Sequence, residues 1–141
     1  MYFPYLRGKQ NELAALKEVA SKLKADKIQP IIEPVKDNKN QLFIAINALN
    51  NAGIIPHIVV NPYVGELAND YPDYLYNIMS KEDIIFIPCI RLHNQNIPQT
   101  QTLLNKLNDE NRIYSLYLQE DIQSNIIFYT SNSSANIILN Q

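Results

Sequence analysis

The segment IQPIIEPVK, Ile28 to Lys36, decides the fold. It reads as an apolar strand that ends on a carboxylate, Glu33, with Pro34 directly behind it. A continuous apolar run is expected of a strand covered on both faces. The charge at its far end marks where the chain leaves the buried sheet for a loop.

The same pattern recurs along the chain. FPYLR, QPIIE and IPCIR each place a charged residue three positions after a proline, at Arg7, Glu33 and Arg91. IPHIVVN is a looser copy whose polar residue, Asn61, comes five positions on. The strand-end residues Arg7, Glu33, Asn61, Arg91 and Gln119 follow one another at intervals of 26, 28, 30 and 28. Helical patterns fill the intervals. NELAALKEVASKLK aligns Leu13, Leu16, Val19, Ala20 and Leu23, and DNKNQLFIAINALNNAG aligns Leu42, Phe43, Ile46 and Leu49 ahead of a stop at Gly53. A weaker helix runs from about Pro72 to Ser80 with Leu75, Ile78 and Met79 inward. A fourth starts near Pro98 and packs through Leu103, Leu104 and Leu107. NIIFYT and ANIIL read as two further strands.

Strands alternating with helices predict an α/β fold of repeated βα units with a mostly parallel sheet and right-handed crossovers. The interval matches one unit of an α/β barrel. A complete (β/α)₈ barrel takes roughly 250 residues, and this chain of 141 holds about five units. Residues 1–141 therefore read as a single α/β domain resembling the first half or more of such a barrel. Either the sheet stays open, or a longer chain completes it, or a second copy covers the open edge as a homo-oligomer. The tail SSANIILNQ, which stops on a strand-like run, favours truncation or an interface. Pro4, Pro30 and Pro56 suit strand starts, whereas Pro88 follows four strand-like residues and predicts a bulge or a lost ladder bond.

A net charge of −2 and a pI near 5.6 disfavour general nucleic-acid binding. Cys89 is the only cysteine, so no intramolecular disulfide forms, which fits a reducing cytoplasm. No apolar stretch approaches the roughly 20 residues that span a bilayer, and MYFPYLRGKQ has no secretory pattern. The expectation is a cytoplasmic protein with no membrane contact.

The opening MYFPYLRGKQNELAAL, followed by IQPIIEPVK and IIPHIVVNP, resembles the amino-terminal part of the bacterial and phage "beta protein" family. Members carry an aromatic-Pro-x-Leu-Arg-Gly-Lys-x-x-Glu opening and then a strand ending Pro-Ile-Ile-Glu-Pro. The likeness covers roughly residues 1 to 92. It implies a TIM-barrel-like α/β domain, usually in a chain about twice this long, and a phage-defence or mobile-element setting. It brings no catalytic mechanism.

In parallel α/β sheets ligands bind at the carboxyl ends of the strands. Arg7, Lys9, Glu33, Lys36, Asn61 and Arg91 are all expected there, with His93 in the loop beyond. Arginines and lysines so placed suit a phosphate or carboxylate. Glu33 then acts as general base, holds a divalent metal, or pairs with Arg7 or Arg91. The plainer reading is an ion-pair ring that orders the loops. Arg7-Gly8 and Glu33 also echo the glycerophosphodiesterase barrels, but Leu6 stands where their histidine would be and no second acid follows Glu33.

Other motifs are absent. Three glycines cannot build a phosphate-cradling loop, and His57, His93 and Cys89 have no zinc spacing. His57 is expected to face the core or a helix, and Cys89 to be a small buried apolar residue. No cofactor is predicted, and a divalent metal enters only through Glu33. Tyr63, Tyr71, Tyr74 and Tyr76 suit either a recognition surface or helix packing.

Two functions follow. One is a binding or accessory module for a protein partner or small anionic ligand. The other is an enzyme acting on a phosphorylated or anionic small molecule, with phosphodiesterase-like chemistry in which Glu33 is catalytic and Arg7, Lys9 and Arg91 clamp the anion.

Overall fold

Proline punctuates the units. Pro4, Pro30 and Pro56 stand immediately before β1 (Tyr5–Arg7), β2 (Ile31–Glu33) and β3 (His57–Val59). A proline cannot donate to a ladder, but its carbonyl still accepts. Ile31 N donates to Pro4 O at 2.8 Å, His57 N to Pro30 O at 2.9 Å, and Ile87 N to Pro56 O at 2.9 Å. Each proline thus starts one strand and receives the next.

The structure is a computed structural model that describes residues 1–62, 65–67, 74–92, 97–118 and 136–139. After β3 come α3 (Tyr74–Met79), β4 (Ile87–Leu92), α4 (Ile97–Asp109), β5 (Ser115–Leu118) and β6 (Asn136–Leu139). α1 (Gln10–Val19) and α2 (Asn40–Asn51) lie between the first three strands. The six strands sit in sequence order, and every pairing is parallel. The fold is α/β, an all-parallel sheet with interleaved helices. NIIFYT lies outside the described residues.

The expected bulge at Pro88 does not occur. β4 runs unbroken, with Pro88 in register with Ile58. Parallel strands bond to alternate neighbours along their length, and Ile87 N is used on the β3 side. The missing donor of Pro88 therefore faces β5, whose ladder begins one residue later, at Cys89.

Helix faces follow the apolar pattern with three corrections. Val19 is exposed because α1 tightens into a 3₁₀ turn over Ala20–Lys22, while Ala20 is buried as the pattern expects. Ala45 takes the buried position expected of Phe43, which is only partly covered. In α3 Tyr76 is buried rather than Ile78, because its hydroxyl donates to Glu110 Oε2 at 2.5 Å and its ring lies beneath Arg112 and Lys106. α2 ends at Gly53 (φ 79°), and Ile54 N returns to Leu49 O at 2.9 Å. Asn111 (φ 52°) plays the same part after α4, where Arg112 N donates to Leu107 O.

The helices pack on one face of the sheet. Leu13, Leu42, Leu75 and Leu103 share a core with Ile32, Ile58, Ile90 and Leu116. Alternate strand residues form a second, smaller cluster of Ile31, Val59 and Cys89, with Phe3, Tyr5 and Tyr117 against it. This second face is strongly concave. The rings of Tyr5 on β1 and Tyr117 on β5 are 4.9 Å apart, whereas four strand spacings in a flat sheet amount to about 19 Å. Among the described residues no helix is long and apolar enough to cross a membrane.

Candidate functional site

Glu33 is the last residue of β2 and is 1% exposed. Burying a carboxylate is costly unless it is paired. Its partner is Arg91, whose Nη1 donates to Oε2 at 2.8 Å, in a pair with side chains 1% and 15% exposed. The two residues come from strands on either side of β3. The arginine bridges the gap by length and by the inward curve of the sheet. Of the two arginines weighed for Glu33, the structure selects Arg91.

Asn61 sets the aim of that arginine. Its Nδ2 donates to Arg91 O and its Oδ1 accepts from Arg91 N, both at 2.9 Å. Backbone pairing of β3 with β4 ends with Val60 N on Cys89 O at 3.0 Å. The amide side chain therefore adds one more rung and fixes the Arg91 backbone. Asn61 is a positioning group here.

Tyr5 and Tyr117 flank the pair, and the Arg91 guanidinium lies 5.9 Å from the Tyr5 ring centre. Burial first, and then the Glu33 charge, push the Tyr5 phenol above its ordinary value. It stays protonated at any physiological pH.

Beneath lies a second polar group. His57 and Ser115 are both 0% exposed, and His57 Nδ1 meets Ser115 Oγ at 2.7 Å. Phe3 packs edge-on against the imidazole at 5.6 Å. Burial lowers the His57 pKa to about 4 and raises that of Cys89 to about 12. The imidazole is neutral and the thiol is not ionised at neutral pH. Both are sealed away from ligands, so this group packs the sheet interior.

The remaining strand-end cations are more open. Arg7 is exposed, although its backbone pairs in register with Glu33. The turn beyond it is drawn tightly onto β2, where Gly8 N donates to Glu33 O at 2.7 Å. A Cβ at Gly8 would stand 3.3 Å from that same oxygen. Lys9 is the exposed N-cap of α1 and offers no side-chain cap. Lys36 is exposed and 3.8 Å from Glu66, a pair too solvated to be worth much. His93 and Gln119 lie outside the described residues, as do Tyr63 and Tyr71. Tyr74 is half-exposed, with Lys39 over its ring.

The open space at this end is a cavity of about 330 Å³ between the loops after β1 and β2 and the first turns of α1 and α2. Leu13, Pro34, Val35 and Leu42 provide apolar walls, while Gln10 and Lys36 are among the polar groups around it. Glu66 closes one side. Its carboxylate accepts from Asp37 N at 2.7 Å, and its own N–H donates to Val35 O at 2.9 Å. Glu33 and Arg91 do not line this cavity. Among the described residues no three His, Cys, Asp or Glu side chains gather as a metal-binding group.

Tyr5, Tyr117 and Ser115 were missed as partners of the strand-end residues. The signal was a period of two. Counting back two from Arg7, Glu33, Asn61, Arg91 and Gln119 gives Tyr5, Ile31, Val59, Cys89 and Tyr117, the members of the concave-face cluster. Counting back four reaches Phe3, His57 and Ser115, which contact one another in turn. The concave face is filled in layers.

Compared with protein-family models, curated proteins and solved structures, the chain finds no match.

Proposed function

We propose that the chain is a barrel-type binding module that takes a small anionic ligand at the carboxyl end of its sheet and performs no chemistry on it. The observation that carries this reading is the division at that end. The carboxylate suited to catalysis is buried in an ion pair with Arg91, while the open cavity beside it is lined by Lys36, only loosely paired with Glu66 at 3.8 Å, and not by Glu33. The layered, curved interior supports a (β/α)₈-type architecture, whose ligand sites lie at this end. The likeness to the "beta protein" family, with the phage-defence or mobile-element setting it implies, belongs to the same reading, as does a cytoplasmic location, and it rests on the motifs within residues 1 to 92 alone.

Thermal unfolding with a panel of phosphates, nucleotides and small carboxylates, with and without Mg²⁺ or Mn²⁺, tests it. A ligand at 100 times its Kd adds about 2.7 kcal/mol if it binds only the folded state. The expected result is a metal-independent shift that Lys36→Gln loses and Glu33→Gln keeps. A metal-dependent shift lost in Glu33→Gln would replace the module with the enzyme reading.

A further inference from the structure

The cavity at the carboxyl end carries one charge of each sign. Lys36 and Glu66 both line it, with Lys36 Nζ 3.8 Å from Glu66 Oε1. A direct charge-assisted hydrogen bond is about 2.7–2.9 Å long, so the two groups face each other across a gap. Glu66 is held there by three contacts. Its Oε2 accepts from Asp37 N at 2.7 Å, and its own N–H donates to Val35 O at 2.9 Å. Gly65, just before it, lies so close to the loop after β2 that a Cβ would stand 2.6 Å from Val35 O. The acid is therefore fixed in place, with Oε1 turned to Lys36 and to whatever enters the cavity.

That acid selects among ligands. A phosphate or a plain carboxylate taken by Lys36 lies beside a fixed negative charge, which repels it. A ligand that also carries an ammonium gives each protein charge an opposite partner. The 3.8 Å separation of Lys36 and Glu66 requires the two ligand charges to be close together, as they are when one carbon bears both. The other walls describe the rest of the molecule. Leu13, Val35 and Leu42 present apolar surface, which suits an apolar side chain and no polar one. Gln10 and Gln41 are exposed, and among the described residues their side chains have no hydrogen-bond partner. An amide both donates and accepts, so it can serve a carboxylate or an ammonium. The volume of about 330 Å³ is at the small end of the roughly 300–1,000 Å³ range of ligand pockets, a fit for a metabolite of amino-acid size.

We infer that the ligand is an apolar α-amino acid, with its carboxylate on Lys36, its ammonium on Glu66 and its side chain against Leu13, Val35 and Leu42. This rests on the binding-module reading and gives it a ligand class, the carboxylate being the anionic group. Calorimetric titration of the protein with leucine, methionine and phenylalanine tests it. The deaminated and the decarboxylated analogue of each are titrated alongside, as are inorganic phosphate and ε-aminocaproate, an isomer of leucine whose charges lie far apart. At least one of the three amino acids is expected to bind at least tenfold more tightly than its two analogues and than ε-aminocaproate. Glu66→Gln keeps an oxygen for Asp37 N but loses the charge, and it should abolish the preference over the deaminated acid. Lys36→Gln should weaken the amino acid and the deaminated acid alike. A deaminated acid or ε-aminocaproate that binds as well as the amino acids would overturn the inference and leave the anionic-ligand reading standing. Binding of phosphate alone would do the same, as would a preference that survives Glu66→Gln. Silence of this whole set and of the nucleotides would overturn both. Should Glu66→Gln unfold the chain, the comparison of amino acids with their analogues on wild type decides by itself.

Discussion

Arg91 and Glu33 are joined across an intervening strand, and the join is buried at the carboxylate and nearly so at the guanidinium. Such a pair adds little net stability compared with apolar side chains of the same shape, yet it is costly to break from one side. Arg91→Met is therefore expected to cost about 3–5 kcal/mol, because it leaves a buried charge behind. Glu33→Gln combined with Arg91→Met should recover much of that loss. Urea unfolding of the two single variants and the double variant gives the coupling directly. Additive losses would show that the two side chains act separately.

His57 makes the fold sensitive to acid. Its pKa is near 4 in the folded chain because burial opposes the charged ring, and near 6.5 when unfolded. The unfolded state therefore takes up the proton first. Stability contributed by the neutral imidazole is complete above about pH 6.5, falls as the pH drops towards 4, and then levels. The full span is worth about 3 kcal/mol. Denaturation midpoints at pH 7, 6 and 5 should decline in wild type and decline less in His57→Gln. Parallel declines would show that His57 is not the source.

Gly65 and Gly53 both have positive φ, at 89° and 79°, yet their surroundings differ. A Cβ at Gly65 would lie 2.6 Å from Val35 O and 2.7 Å from Val35 Cβ, whereas at Gly53 it would meet nothing within 4 Å. Gly53→Ala should cost about 1 kcal/mol, the ordinary left-handed penalty. Gly65→Ala should cost at least twice that, because the loop carrying Glu66 must also lift from the loop after β2. Chemical denaturation of both variants side by side reads the difference.

Cys89 is fully buried and its thiol is pushed up to about 12. The thiolate is the reactive form. Native protein should react with a disulfide reagent no faster than it unfolds, so the labelling rate should rise with urea in step with unfolding. Rapid labelling in the native state would show that the concave face opens by itself.

The sheet was legible because its signals are local: apolar runs, a proline before each of the first three strands, and a polar residue at or beside the end of each of the first five. The burial of Glu33 was not. Whether a strand-end carboxylate meets water or a guanidinium depends on sheet curvature, and curvature leaves no mark in any one stretch. Arg7 and Arg91 look equivalent in sequence, but Arg7 sits beside Glu33 in register and points to water, while Arg91, two strands away, reaches it. Tyr76 stayed open between a recognition surface and helix packing for a related reason. Its burial depends on Glu110 and Arg112, more than thirty residues on, and not on the pattern of its own short helix.

Glu33 to Arg91 and His57 to Ser115 are both contacts between residues 58 apart, which is two βα units. Each of these contacts passes over the neighbouring unit. As the chain emerges from a ribosome, β2 exposes an acid whose base has not yet been made, and β3 then does the same with its imidazole. The first two units therefore have no finished interior of their own. Folding of the concave face waits on β4 and then β5, so its cooperativity spans the parts of the chain that local patterning treats as separate.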